Sequence, residues 1–143
     1  MIPHAALAQA QDWAAIERTL RRFQALNAAI KHAAIPVVAA ACGRALGGGC
    51  EVLLHCSAVQ AHAETYAGLV EVAVGIVPGW GGCKEMLLRH QPGPKDPKGV
   101  MPPVGGAFEA ISLAKVAKSA AEAKELKFLR AHDGITMNRD RLL

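Results

Sequence analysis

Residues 47–51 read Gly-Gly-Gly-Cys-Glu and close the segment GRALGGGCE, residues 43–51. Three consecutive glycines strip the backbone of side chains, at a cost in conformational entropy. A run of this kind, leading from a strand into a helix, leaves open N–H groups at a helix N-terminus, where negative charge is favoured. Such donors, aimed at an oxygen that gains charge during a reaction, make an oxyanion hole from main chain alone. Glu51 lies three residues after Gly48, so in a helical turn the two face the same way. A carboxyl group then stands beside whatever the Gly48 N–H binds. Tight helix–strand packing also explains the glycines, but it does not explain an acid among apolar neighbours. A buried carboxylate must be neutral, hydrogen-bonded or functional.

Other chemistries fit these residues less well. A phosphate loop needs a Lys and a hydroxyl residue after its last glycine, and Cys50 and Glu51 stand there instead. The dinucleotide pattern GxGxxG breaks because GGGCEV ends on Val52. Cys50, His55 and Cys56 follow no zinc spacing, so no metal is expected.

The elements that must hold these residues can be read from periodicity. Trp13, Ile16, Leu20, Phe23, Leu26 and Ile30 recur at steps of three and four, which predicts a helix over 11–33. IPVVAAA, 35–41, predicts a strand apolar on both faces. CEVLLHC predicts a buried helix starting within the glycines, and AVQAHAE, 58–64, a short alternating strand. Residues 66–82 are ambiguous because glycines interrupt them, and a helix is expected to carry CKEMLLRH. Residues 91–103 hold five of the eight prolines and predict a loop. Two helices are expected near 104–117 and 119–131, the second capped by Ser119 with Glu122 three residues on. The expected class is α/β, with a core over 1–90, a Pro-rich loop over 91–103 and a helical C-terminal region over 104–143.

Composition narrows the function. The chain has 143 residues, 52% hydrophobic and 20% charged, which suits one globular domain. The net charge is +4, but its clearest cluster, Arg18, Arg21 and Arg22, fits a solvated helix face. Aromatic residues make up only 4%, so nucleic acid is not an expected partner. Cys42, Cys50, Cys56 and Cys83 form no CxxC pair and read as reduced, buried thiols. With no signal peptide and no membrane span in view, a cytoplasmic setting is expected.

The stretch from Ile35 to His90 closely resembles the enoyl-CoA hydratase/isomerase family, the crotonases. The family pattern is a Pro-Val strand, then G-x-A-x-G-G-G-x-E, a short strand, and G-x-P-E-x-x-x-G-x-x-P-G-x-G-G. These parts occur here in order as IPVV, GRALGGGCE and GLVEVAVGIVPGWGG. The resemblance implies a partial crotonase-like ββα spiral. It implies that Gly48 donates an oxyanion-hole N–H to a thioester carbonyl, with Gly47 and Gly79 lining the substrate site. Glu51 and Glu71, twenty residues apart, are implied to be the catalytic acids. The implied reaction is addition of water to a 2-enoyl-CoA in fatty acid β-oxidation, with the coenzyme A thioester as substrate and no cofactor. Acids at both positions favour hydration over isomerisation; a structural fragment carrying half a site is the other alternative.

Three positions depart from the family pattern: Val70 replaces a proline, Ser57 an aspartate, and Lys127 a glycine expected to close a helix. Nothing before residue 35 resembles the family's first strands beyond one helix. The chain is therefore expected to be the later part of a module, most like hydratase segments fused to a 3-hydroxyacyl-CoA dehydrogenase. An uncovered sheet edge makes a homo-oligomer the expected assembly.

Overall fold

A computed structural model of the protein describes residues 7–94, 99 and 101–142. Helix α1 runs Trp13–Lys31, with the Asp12 carboxylate accepting from the Ala15 N–H at its start. Its apolar stripe is half covered: Ile16, Leu20, Phe23 and Ile30 are partly buried, Trp13 is 63% exposed, and the buried residue of the helix is Asn27. Arg18, Arg21 and Arg22 do face solvent, and Arg21 pairs with Glu17 one turn earlier.

Two small sheets follow. Strands β1 (Val38–Ala41), β3 (Ala58–His62) and β6 (Gly134–Thr136) form one, in that order and all parallel. Strands β2 (Arg44–Leu46), β4 (Tyr66–Gly68) and β5 (Val116–Ala117) form the other, β2 parallel and β5 antiparallel to β4. Strand β1 is shorter than the expected 35–41, and it is not buried on both faces, because Val38 is 60% exposed on an edge strand. Strand β3 alternates as expected, with Val59 and Ala61 in the core.

Helix α2 (Gly48–His55) buries Cys50, Glu51, Leu53, Leu54 and His55, and packs on α1, β2 and α3 (Gly82–Arg89). Helix α4 (Met101–Ser112) starts earlier than expected. Pro102 and Pro103 lie in its first turn, where a missing N–H leaves no helical bond unmade. The Pro-rich loop therefore ends before Met101; its residues 95–98 and 100 lie outside the described residues. The C-terminal region is helical at α4 and α5 (Ala120–Glu125), and it also threads β5 and β6 into the two sheets. Phe128 and Leu129 fill the core beside Leu54, Leu69 and Met86. Asp133 ties the C-terminal region to β3, accepting from the N–H groups of Val59 and Arg130. Cys50 and Cys56 are buried thiols as expected; Cys42 and Cys83 are exposed, in the loop after β1 and in the first turn of α3.

Helix α5 is capped at its start as predicted. The Ser119 hydroxyl accepts from the Glu122 N–H, and the Glu122 carboxylate accepts from the Lys118 N–H. Its end falls at Glu125, before the expected 131. There Lys127 takes φ +65°, the left-handed conformation in which a glycine carries no steric penalty. We expect Lys127→Gly to stabilise the fold by about 1 kcal/mol, read as a higher Tm in thermal unfolding. An unchanged or lower Tm would show that the lysine side chain compensates for its backbone.

Candidate active site

The segment 43–51 forms a strand, a turn and a helix start, as its glycines require. Gly47 caps α2 with φ +56° and donates its N–H to the Gly68 carbonyl at 2.8 Å, so β4 holds the turn. The helix opens with the Glu51 N–H on the Gly47 carbonyl at 3.0 Å. Gly48 has no room for a side chain. A Cβ there would lie 2.6 Å from Cε3 and 2.7 Å from Cη2 of Trp80.

Glu51 is 2% exposed, and its Oε1 accepts two backbone hydrogen bonds, from Trp80 and Gly82, each at 2.8 Å. Those donors belong to the start of α3, so a helix N-terminus faces the carboxylate. Burial pushes the Glu51 carboxyl above its ordinary range, and the N–H groups of Gly82 and then Trp80 pull it back down. The burial foreseen for an acid among apolar neighbours is thus offset in part by charge-assisted hydrogen bonds.

Glu71 opens a short 3₁₀ turn, Glu71–Val74, and is 9% exposed. Its carboxyl lies against the helix start: a Cβ on Gly47 would be 3.4 Å from Glu71 Oε1. Its Oε2 is buried without a hydrogen-bond partner. Burial again raises the carboxyl, its own backbone N–H lowers it, and the Glu51 charge raises it further. Two acids therefore share one site in unlike surroundings. Glu51 holds two donors that favour the charged form, whereas Glu71 has an empty acceptor and a negative neighbour. A carboxyl raised in the folded state binds its proton more tightly there, so its contribution to stability is present at low pH and lost as pH rises through the folded value. Glu71→Gln is accordingly expected to raise the Tm at pH 7, and the gain should shrink as pH falls through the raised folded value and be gone by the ordinary glutamate range. A gain that grows on acidification would overturn this.

The expected site residues Gly47, Gly48, Glu51 and Glu71 come together. Gly79 sits one residue from Trp80 but faces α1, its carbonyl accepting from Gln24 Nε2 at 2.7 Å. A Cβ on Gly79 would be 3.0 Å from Leu20 Cδ2. Several residues that periodicity did not single out complete the surroundings. Trp80 stacks on Phe23, with ring centroids 3.7 Å apart and planes 8° from parallel. Buried Asn27 donates to the Trp80 carbonyl at 2.9 Å. His55 places Nδ1 2.7 Å from the Glu51 carbonyl and Nε2 3.6 Å from Glu85, which also pairs with Lys31 and Lys84. The sequence signal available for Trp80 was a large aromatic placed inside a glycine-rich turn. Among the described residues no group of three His, Cys, Asp or Glu could hold a metal, and no helix is long and apolar enough to cross a membrane. A separate open cleft of about 710 Å³, lined by Lys31, Arg89, Lys124, Lys127 and Arg130 among others, is not lined by Gly47, Gly48, Glu51, Glu71 or Gly79.

A family model described as enoyl-CoA hydratase/isomerase matches residues 6–98. A Bacillus subtilis protein named "Probable 3-hydroxyacyl-CoA dehydrogenase" is 43% identical over 135 residues, covering 94% of this chain and 17% of its own length. A Clostridium acetobutylicum short-chain-enoyl-CoA hydratase is 45% identical over 51 residues, 36% of this chain and 20% of that one. The crystal structure of enoyl-CoA hydratase from Bacillus anthracis superposes with TM-score 0.67 at 29% identity, covering 85% of this chain and 41% of that one. The hydratase structure from Thermoplasma volcanium shares the fold with TM-score 0.71 at 21% identity, over 90% of this chain and 45% of that one. The chain thus spans less than half the length of each of these proteins.

Proposed function

Because the chain belongs to the enoyl-CoA hydratase/isomerase family, we propose that its site adds water across the double bond of a 2-enoyl-CoA thioester. The observation that carries this is the pair of buried carboxyl groups, Glu51 and Glu71, in unlike surroundings at a helix start opened by glycine. Glu51, facing the N–H groups of Trp80 and Gly82, is the ionised partner. It takes a proton from water as the water oxygen bonds to C3. Glu71, with its bare Oε2 and a negative neighbour, is the protonated partner. It delivers its proton to C2. Charge builds meanwhile on the thioester oxygen, and the Gly48 N–H stabilises it there. Gly47 shapes the turn against the Glu71 carboxyl, whereas Gly79 packs against Leu20 of α1, which speaks against the expected role in lining the acyl site. None of these steps calls on a cofactor.

In its full-length setting, the protein is proposed to act in fatty acid β-oxidation, in the cytoplasm, beside a fused dehydrogenase. The name of the Bacillus subtilis relative supports that setting. Exposed Ile35, Val38, Val77 and Phe108 support an assembly, either with the rest of the module or with further copies of the chain. The test is hydration of 2-butenoyl-CoA by the full-length protein, followed as loss of absorbance of the conjugated thioester. The rate should fall on both sides of an optimum, since Glu51 must be ionised and Glu71 protonated. Both limbs should lie above the ordinary glutamate range and belong to the pair. Absence of hydration, with conversion of a 3-enoyl-CoA instead, would assign the site to isomerisation.

A further inference from the structure

We propose that Trp80 is the specificity-determining wall of this site, admitting enoyl thioesters unsubstituted at C2 and excluding those that carry a branch there. The proposal rests on the hydration chemistry above and names which substrates that chemistry accepts. Trp80 touches both proposed working groups. Its N–H holds Glu51 Oε1 at 2.8 Å, and the edge of its ring lies on Gly48, where a Cβ would be 2.6 Å from Cε3 and 2.7 Å from Cη2. The ring is stacked and the backbone that carries it is anchored. Phe23 covers one face at 3.7 Å, and Asn27 Nδ2 fixes the Trp80 carbonyl at 2.9 Å. The indole therefore cannot retreat without breaking the stack.

A thioester oxygen on the Gly48 N–H brings its carbonyl carbon, and the C2 atom next to it, alongside this ring edge. An unbranched 2-enoyl thioester is flat through the conjugated atoms and can lie beside an aromatic wall. A methyl on C2 widens that flat unit next to the carbonyl carbon, and the ring edge on Gly48 limits the width the site accepts. One methyl group in a shaped pocket is worth about 10–200-fold in discrimination.

The test compares kcat/KM for 2-butenoyl-CoA and 2-methyl-2-butenoyl-CoA in the full-length protein, in Trp80→Ala and in Phe23→Leu. The expected ratio is about 10–200 for the parent protein. It should fall to roughly threefold or less in Trp80→Ala and to an intermediate value in Phe23→Leu, which keeps the indole but loosens its support. The backbone N–H of residue 80 survives both substitutions, so Glu51 keeps its anchor. General damage to the fold lowers both rates together and leaves the ratio alone, so an unchanged ratio in Trp80→Ala overturns the proposal. A parent protein that hydrates both substrates equally also overturns it, while the hydratase function stands. A parent protein that hydrates neither overturns both.

Discussion

Glu51→Gln is expected to lower kcat for hydration of 2-butenoyl-CoA by about 10³-fold, within the range ascribed to a positioned general base. The substitution is close to isosteric. The amide oxygen can still accept from the N–H groups of Trp80 and Gly82, so the start of α3 keeps its partner. What is lost is the basic oxygen that removes a proton from water. Folding should not suffer: burial of the Glu51 charge raises its carboxyl, so removing that charge relieves a penalty at neutral pH. A variant with an unchanged or higher Tm and a thousandfold lower kcat would separate chemistry from stability. Glu51→Ala should behave differently, because it leaves two N–H groups without their acceptor and destabilises by about 1–3 kcal/mol. Retention of more than a third of the parent rate in Glu51→Gln would remove Glu51 from the mechanism.

The second large effect is expected at Gly48. Gly48→Ala places a methyl group inside the envelope of the Trp80 ring, which Phe23 holds from the other side. Overpacking of this kind costs about 1–3 kcal/mol. Relief requires the helix start or the indole to move. A displaced helix start also mis-aims the oxyanion donor, whose loss lowers kcat by about 10²–10³-fold. Gly49→Ala is the control within the same glycine run. A Cβ there meets nothing within 4 Å, and alanine favours the helix by roughly 0.5–1 kcal/mol. The double variant Gly48→Ala/Trp80→Gly should recover the stability lost in Gly48→Ala, since the clash is with the ring. Full stability and rate in Gly48→Ala alone would contradict both the packing and the donor role. Two of the three glycines are thus explained, by backbone conformation at 47 and close approach at 48, and nothing in the structure requires the one at 49.

The local elements were legible wherever periodicity and punctuation agreed. The stripe from Trp13 to Ile30, the glycines before Glu51 and the Ser119–Glu122 cap each placed a helix start or body within a few residues. Strand β3 was readable from its alternation. Strands β5 and β6 were not, because two or three residues carry no pattern and exist only through pairing with β4 and β3. Their partners lie tens of residues away, and no local propensity encodes them. Glu71 carried no local mark; only the family pattern raised it from an ordinary surface acid to a member of the site.

The sequence by itself determined where the chain turns, which acid follows the glycines, and which family the segment resembles. Those are properties of short spans, in which backbone sterics and side-chain spacing act within a few residues. Tertiary structure alone decided that Glu51 receives the N–H groups of Trp80 and Gly82, that Glu71 keeps a bare oxygen, and that an indole lies on Gly48. Each of these joins elements separated by 20 or more positions in the sequence. Such contacts form only when burial of the shared core offsets the entropy of bringing distant segments together. They also set the protonation of the two acids, because desolvation and neighbouring charge are properties of the folded surroundings and not of the residue.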